Sequence, residues 1–249
     1  MPMVSGLVRA SHPAPAVAVT LISVGLAVVW GRSPGGIAAV GATILSGQLS
    51  VGWLNDYLDR DRDAASGRAD KPIPNGEVGA KAVLVAYVVS GVAVVPLSFL
   101  SGLIPGLVHL VAVASAWSYN ALLKGTVLSV LPYAVSFAGG PAFVVLGVPA
   151  TPPWWLLAAG ALLGSGAHFA NALPDLAQDL ATGVRGLPHR LGPRGSWAAT
   201  CVLLLAAAAV LNPYAVAASA VVLLFGRRHP FQAAMLVALL DVVLLIITT

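Results

Sequence analysis

Charged residues are scarce in this chain. Only 9% of its 249 residues are Asp, Glu, Lys or Arg, whereas 58% are hydrophobic and the mean hydropathy is +0.90. A single soluble core could not bury so much apolar material, so the composition excludes an ordinary soluble domain. The sequence predicts a protein that lies in a lipid bilayer.

Cysteine is nearly absent as well. The one cysteine, Cys201, lies in an apolar run, so no intrachain disulfide is possible and a buried, inert thiol is expected. A removed signal peptide is not expected, because the first apolar stretch, 13–31, continues into further apolar stretches instead of a cleavage site and a soluble domain. We interpret 13–31 as the first membrane helix.

The net charge of +4 does not indicate a nucleic-acid partner. The basic residues are dispersed among loops, and no basic stripe interleaved with aromatic residues is present. The Asp-Gly…Ala-Arg signature of membrane alcohol phosphotransferases is also absent, which disfavours that class of enzyme.

The apolar stretches predict an all-α fold, a multi-pass transmembrane bundle that forms one domain over residues 1–249. A bilayer-spanning helix needs about 20 apolar residues, and breaks at Pro, Gly, Asn and charge clusters give nine candidates. A count of eight with one re-entrant segment stays open, because the segment that follows the Asn212-Pro213 break is short. The nine candidates are 13–31, 36–56, 80–100, 103–122, 127–147, 153–175, 196–211, 213–226 and 230–248.

The distribution of Lys and Arg predicts the orientation. These residues concentrate in cytoplasmic loops, and with nine spans and a cytoplasmic N-terminus, Arg32 alone among the 13 falls on the opposite side. The linkers 57–79 and 176–195 hold most of the charge, and both lie on the cytoplasmic side. We therefore expect the chemistry in these loops, and the protein in the plasma membrane of a prokaryote.

The first acidic cluster is at the end of the second predicted helix. At about 100° per residue, Asn55, Asp56, Asp59 and Asp63 share one helix face, while Asp61 points away from it. The second cluster, His168, Asn171, Asp175 and Asp179, has spacings of three, four and four, which predicts one face of a continuing sixth helix. Asp61 and Asp70 are interpreted as solvated surface acids.

Stacked carboxylates repel one another and need a compensating cation. Mg²⁺ suits them, because it prefers oxygen ligands and often bridges one or two carboxylates to substrate phosphates. Two facing clusters could thus clamp a diphosphate and stabilise it as a leaving group. The nearby basic residues suit a phosphate-rich ligand, although each could instead be a surface charge that sets topology; they are Arg68, Lys71, Lys124 and Arg190.

These residues together resemble the UbiA-type intramembrane prenyltransferases. The segment Asn55-Asp-x-x-Asp59-x-x-x-Asp63, with the basic residues that follow it, is similar to the family's first signature. The segment that begins Asp175-x-x-x-Asp179 and ends with Arg190-Leu-Gly is similar to the family's second signature. The segment Tyr119-Asn-Ala-Leu-Leu-Lys124 resembles the family's Tyr/Lys segment. The chain departs from the pattern at Gly186-Leu187-Pro188-His189, where a Thr is common, and it is short for the family.

The resemblance implies a bundle around a central cavity, with the Asp motifs at its cytoplasmic mouth. It implies Mg²⁺-dependent transfer of a prenyl group from an isoprenyl diphosphate to an aromatic or other lipophilic acceptor. The expected metal-binding and catalytic residues are Asp56, Asp59, Asp63, Asp175 and Asp179. The expected diphosphate-binding residues are Asn55, Arg68, Lys71, Tyr119, Lys124, Asn171 and Arg190.

Alternatives remain open at this point. A terpene cyclase on the same scaffold would use the prenyl diphosphate without an external acceptor, and a transporter would use the acids as an ion path. His168 is either a base on the acceptor side or a hydrogen-bonded histidine inside the bundle. Asp241, in the last apolar segment, has no partner that the sequence identifies.

Overall fold

The computed structural model describes residues 2–248, and these residues contain helices and turns but no strand. Two short turns interrupt the α-helical series, a π-helical turn at Tyr119–Leu123 and a 3₁₀ turn at Leu173–Asp175. The helices are α1 (Pro2–Ala10), α2 (Pro13–Val29), α3 (Pro34–Ala65), α4 (Ala80–Phe99), α5 (Leu103–Ser118), α6 (Leu131–Leu146), α7 (Trp154–Ala172), α8 (Leu176–Ala181), α9 (Leu187–Leu211), α10 (Pro213–Gly226) and α11 (Pro230–Thr248).

The prediction of an all-α protein is confirmed, and each of the nine predicted segments overlaps a helix. The described chain nevertheless has eleven α-helices, because α1 and α8 are short additions that a search for long apolar runs passes over. Five helices are long and apolar enough to cross a membrane, or six if α1 and α2, bent by 57°, count as one span.

Prolines and polar caps define where several helices begin. The Ser33 hydroxyl accepts a hydrogen bond from Gly36 N at 3.1 Å, and Pro34 occupies the first turn of α3, where its missing N–H costs nothing. The Asn212 side chain caps α10 in the same way by accepting from Tyr214 N at 2.9 Å. Gly192, at φ 67°, produces a kink inside α9 just before Pro193.

Small residues let the central helices approach closely. A Cβ built on Gly160 of α7 would lie 2.4 Å from the Phe137 carbonyl oxygen of α6, and one on Gly164 would lie 2.6 Å from the Tyr133 carbonyl oxygen. Backbone contact of this kind is typical of helix pairs in membranes. Lipid tails are as apolar as the helices, so van der Waals packing drives helix association there, and small residues allow the backbones to approach closely. Close packing of α6 on α7 fixes one wall of the bundle.

Arg32 closes one end of the bundle. It is buried, and it donates hydrogen bonds from Nε to Val144 O at 3.0 Å and from Nη2 to Phe143 O at 3.1 Å, at the C-terminal end of α6. A third bond goes from Nη1 to Ser101 Oγ at 3.1 Å. Burial lowers the pKa of the guanidinium, and carbonyls at a helix C-terminus compensate its charge.

An apolar cavity of about 120 Å³ lies inside the bundle. Its walls come from α2, α3, α5, α6, α7, α9 and α11. The α3 residues Ile44, Gly47, Gln48 and Val51 line it. Asn55 follows Val51 by one helical turn, toward the end of α3 that is opposite to Arg32. The acidic motif of α3 therefore begins one turn beyond the last α3 residue that lines the cavity.

Candidate functional site

The first acidic motif is carried by the last turns of α3, which continues to Ala65, beyond the predicted end at 56. The spacing of Asp56, Asp59 and Asp63 places their carboxylates on the inner face of this helix, and the three residues are only 3%, 8% and 5% exposed. Buried carboxylates need partners. The site is therefore defined by the groups that contact these three side chains.

Asp56 is held by two cationic or polar partners. Its Oδ1 lies 2.6 Å from Lys71 Nζ and 2.8 Å from His12 Nε2. Lys71 comes from the loop after α3, and His12 from the bend between α1 and α2. Both segments are thereby drawn to the same carboxylate.

Asp59 connects α3 to the turn after α5. Its Oδ2 is hydrogen-bonded to Lys124 Nζ and lies 2.7 Å from Arg62 Nη2. The Asn55 amide donates to the same Oδ2 at 3.2 Å and to Asn120 Oδ1 at 3.1 Å. The π-helical turn that carries Asn120 is thus fixed against α3.

Asp63 differs from its two neighbours on the motif. Within residues 2–248, no hydrogen bond or ion pair reaches its carboxylate, although the residue is buried. Lys71, Arg68 and Arg62 act on it only through space. Both of its oxygens are therefore open to a ligand from outside the chain.

The second motif does not lie on one continuous helix. α7 ends at Ala172, and Pro174, which lacks a backbone N–H, falls in the 3₁₀ turn before α8. The expectation of one continuing helix is therefore wrong, although His168 and Asn171 on α7 both contact Tyr133. Asp175 and Asp179 both remain close to the basic loops.

Arg68 joins the two motifs. Its Nη1 lies 3.2 Å from Asp175 Oδ1, and its Nε and Nη2 bind the two oxygens of Asp70 at 2.9 and 2.8 Å. This two-point bond raises the pKa of Arg68 and lowers the pKa of Asp70. Arg68 therefore stays charged between an acid of its own loop and an acid of the second motif.

Asp179 is paired with a histidine that the sequence analysis noted only as a departure from the family pattern. His189 Nε2 lies 3.1 Å from Asp179 Oδ2, and its Nδ1 is buried without a hydrogen-bond partner among the described residues. Gly186 permits this arrangement, since a Cβ there would lie 2.4 Å from Lys124 O. The loop before α9 thus packs directly on the Lys124 turn.

Three predicted site residues form no hydrogen bond or ion pair with the carboxylates in the described part of the chain. Tyr119 packs edge-on against Tyr133, with ring centroids 5.0 Å apart. The Asn171 amide reaches Tyr133 OH at 3.4 Å, and exposed Arg190 donates to Arg185 O at 3.4 Å. Their predicted role in diphosphate binding stays a prediction.

His168 lies inside the bundle. It is 1% exposed, and its Nε2 is 3.1 Å from Ser129 Oγ, which also accepts from Leu187 N at 3.0 Å. Its Nδ1 is buried without a hydrogen-bond partner among the described residues. Both interpretations of His168, a base and a hydrogen-bonded histidine of the bundle, therefore stay open.

The sequence did not reveal every partner. His12 and Asn120 contact the first motif, yet neither has a spacing that links it to the acids. Asn120 had one usable signal, its position beside Tyr119 in the Tyr/Lys segment. For His12 there was none, because its contact depends on the bend between two helices.

No metal cage is formed in advance. Among residues 2–248, no three His, Cys, Asp or Glu side chains converge closely enough to hold a metal ion by themselves. Most of the acids are instead paired with Lys, Arg or His, so the site is a network of ion pairs in a bundle that also holds an apolar cavity. Such an arrangement can bind a polyanionic head group whose tail is lipophilic.

Fold and site together define an integral membrane protein of helices with an acidic and basic mouth. The model of the UbiA prenyltransferase family matches residues 16–247. The chain belongs to this family, which confirms the resemblance seen in its motifs.

Archaeal relatives carry a specific name, digeranylgeranylglyceryl phosphate synthase. One from Methanothrix thermoacetophila is 31% identical over 164 residues, 62% of this chain and 58% of the relative. Another from Halobacterium salinarum is 30% identical over 217 residues, 82% of this chain and 75% of the relative. The chain therefore spans just over half of the first relative and three quarters of the second.

Solved structures of UbiA homologues share the fold. The apo structure from Aeropyrum pernix K1 has a TM-score of 0.76 at 19% identity, covering 92% of this chain and 97% of that one. The homologue from Archaeoglobus fulgidus bound to DMAPP and Mg²⁺ has a TM-score of 0.71 at 14% identity, covering 93% and 85%. At these identities the similarity concerns the fold.

Proposed function

We propose that the protein transfers a prenyl group from an isoprenyl diphosphate to a lipophilic acceptor inside the membrane, in a Mg²⁺-dependent reaction. The observation that carries the proposal is the network of ion pairs between both acidic motifs and Arg68, Lys71 and Lys124, in a bundle that also holds an apolar cavity. These charges suit a diphosphate, and the apolar lining suits a prenyl chain.

Three cations would bind the diphosphate. Arg68, Lys71 and Lys124 are partly buried, and each is now neutralised by an acid of the motifs. A diphosphate offers the same cations more charge and more acceptor oxygens than one carboxylate does. We infer that these side chains exchange a carboxylate for phosphate oxygens when the substrate binds.

The acids fit Mg²⁺ after that exchange. Mg²⁺ commonly uses one or two carboxylates together with waters and substrate phosphates, so a closed protein cage is not required. The unpaired, buried carboxylate of Asp63 supports a cation at this place. The proposed ligand set is Asp56, Asp59, Asp63, Asp175 and Asp179, with Asn55 and Asn171 as neutral ligands or hydrogen-bond partners. When bound, Mg²⁺ supplies positive charge against the diphosphate leaving group.

The chain's own residues would do the rest. Arg68, Lys71 and Lys124 hold the departing diphosphate while the carbon–oxygen bond ionises to an allylic cation. The apolar cavity keeps water from that cation, so the acceptor attacks in its place and gives up its proton to the released diphosphate. Fixed charges act more strongly there than in water. The Tyr119 and Tyr133 rings lie near this end of the bundle and could face the cation.

The name of the archaeal relatives favours a hydroxyl-bearing glyceryl phosphate lipid as the first acceptor to test. Aromatic acceptors come second. A cyclase would need no acceptor, so cyclic hydrocarbon formed from the diphosphate alone would favour that alternative.

We further propose nine membrane crossings with the acidic mouth in the cytoplasm of a prokaryote. Five long apolar helices, the bent pair α1 and α2, and three shorter apolar helices at 131–146, 213–226 and 230–245 support this number. Arg32 lies at the end of the bundle remote from the acids, in agreement with the basic-residue count.

The test is diphosphate release by the protein in nanodiscs. It uses dimethylallyl, geranyl, farnesyl and geranylgeranyl diphosphates, with and without Mg²⁺. Release that needs Mg²⁺ and is lost in Asp59→Ala and Asp175→Ala would support the proposal. Asp61→Ala is the matched control, since the Asp61 side chain is 84% exposed and faces away from the other acids. Full activity in both Asp59→Ala and Asp175→Ala would contradict it.

A further inference from the structure

The apolar cavity contains four polar side chains, and two of them are already satisfied. Ser23 donates a hydrogen bond to Val19 O at 2.9 Å and Ser136 donates one to Ala112 O at 2.8 Å, so both hydroxyls are bound to backbone carbonyls of the protein. The other two are Gln48 of α3 and His109 of α5. These two differ because their cavity-facing groups lack protein partners.

The hydrogen bonds around His109 indicate its tautomer. The Ser98 hydroxyl lies 2.7 Å from Val94 O, to which it can donate its one hydrogen. With the hydrogen used there, Ser98 Oγ accepts from His109 Nδ1, which is 2.8 Å away, so we assign the ring hydrogen to Nδ1 and a free lone pair to Nε2. His109 is 3% exposed, and no described residue forms a hydrogen bond to Nε2.

Gln48 lines the same cavity and follows Gly47, the α3 residue that packs against the imidazole. Its amide can donate two hydrogen bonds and accept two, yet it makes none with the described part of the chain. The adjacent Gly47 leaves room in front of the histidine, because a Cβ there would lie 3.5 Å from both Cε1 and Nε2 of His109. Half-buried Gln48 and buried His109 thus each present a hydrogen-bonding group to an apolar cavity without a protein partner among the described residues, and a polar ligand group would satisfy both.

The depth of this pair separates it from the reacting atoms. Gln48 precedes Asn55 by seven residues of one helix, a rise of about 10 Å. A group held by Gln48 and His109 is therefore a distant part of the ligand, not the part that meets the diphosphate.

We propose that Gln48 and His109 form a binding site for a hydroxyl group, alcoholic or phenolic, on a lipophilic ligand of the cavity. The ligand hydroxyl donates to His109 Nε2, and its oxygen accepts from the Gln48 amide. This site selects hydroxylated lipids over hydrocarbons and ethers of the same size. The inference concerns binding alone and does not depend on the chemistry proposed for the acidic motifs.

The test compares geranylgeraniol with its methyl ether, which keeps the chain and the oxygen but loses the donor. Both compete against tritiated geranylgeraniol on the intact protein in nanodiscs. The alcohol should bind about tenfold more tightly, the ratio that corresponds to one net hydrogen bond. Equal affinities would overturn the proposal.

Variants assign the preference to these residues. His109→Phe and Gln48→Leu should each reduce the tenfold ratio, and Ser136→Ala should leave it unchanged, because the Ser136 hydroxyl is already satisfied inside the protein. Gly47→Ala should reduce it as well, by placing a methyl group at the imidazole edge. Gly41→Ala is its matched control, with a Cβ 3.3 Å from Val24 Cγ2, close to the 3.2 Å contact of Gly47 with Val113 Cγ2. A full ratio in His109→Phe would overturn the proposal.

A spectroscopic measurement covers the case in which His109→Phe does not fold. The protein has five histidines, and labelling them with ¹⁵N lets the unprotonated His109 Nε2 be observed directly. Geranylgeraniol should shift this resonance and the methyl ether should not. Identical spectra with both compounds would contradict the site, whatever the diphosphate-release assay shows.

Discussion

Arg68 forms an ion pair with Asp175, with 3.2 Å between Nη1 and Oδ1, so the loop that follows the first acidic motif is bound to the second. Removing this guanidinium should uncouple the two motifs. We expect Arg68→Gln to raise the KM for the prenyl diphosphate about 10- to 100-fold, the effect of one lost charge-assisted bond.

Arg60→Gln is the control for Arg68→Gln. Arg60 is of the same residue type on the same end of the bundle, but it stacks on Tyr57 and pairs with exposed Asp61. Steady-state diphosphate release measures both variants. A similar KM in Arg60→Gln and Arg68→Gln would show that Arg68 has no special role.

Lys71 should stabilise the fold in the absence of substrate. It lies 2.6 Å from the Asp56 carboxylate, which is 3% exposed, so Lys71→Met leaves a buried acid with His12 as its remaining partner. We expect the free energy of unfolding to fall by about 1–3 kcal/mol and Tm to fall by roughly 2–4 °C for each kcal/mol. If Mg²⁺ binds at Asp56 as proposed, adding Mg²⁺ should reduce the difference in Tm between Lys71→Met and the unsubstituted protein.

Thermal unfolding in EDTA and in Mg²⁺ checks this prediction. Lys81→Met is the matched control, since Lys81 is exposed and has no ion pair among the described residues. The idea fails if Lys71→Met and Lys81→Met have the same Tm in EDTA.

Gly160 should be intolerant of even one added carbon. A methyl group there would lie 2.4 Å from Phe137 O, which forces α6 and α7 apart. We expect Gly160→Ala to destabilise the protein by about 1–3 kcal/mol, as overpacking does. Gly140→Ala, with nothing within 4 Å of the new Cβ, should have no such effect. Comparable Tm values for the two variants would argue against tight α6–α7 packing.

The orientation can be tested by cysteine labelling in cells. In a Cys201→Ala background, Asp61→Cys marks the acidic end and Thr151→Cys, in the loop between α6 and α7, marks the other; both positions are exposed. A membrane-impermeant maleimide should label position 151 in intact cells and position 61 only after permeabilisation. The reverse pattern would place the acidic mouth outside the cytoplasm.

Periodicity and composition predicted the main elements of this molecule. Long apolar runs located nine helical segments, and the spacing of Asp56, Asp59 and Asp63 located a buried acidic face, because both depend on local helix geometry. The helix at 2–10 could not be predicted in this way, because it is too short to stand out as an apolar run. Pro174 gave a usable warning that the second motif would not lie on one helix.

Pairing between distant segments was beyond the sequence. His12 meets Asp56 across 44 positions, and Asn120 meets Asn55 across 65. His109 carried no motif, and its importance depends on Ser98, which indicates its tautomer from a neighbouring helix. Such relations arise from how helices pack on one another, which spacing within a single helix does not encode.

The Arg32 guanidinium gives the molecule two unlike ends. Its bonds go to backbone carbonyls of α6, which no incoming anion can replace, whereas the bonds at the acidic end join side chains that can change partners. The Arg32 end is therefore rigid, and the acidic end can rearrange. We expect the motions that admit the charged head group and release diphosphate to be confined to the acidic end, on the loops that carry Arg68, Lys71 and Lys124.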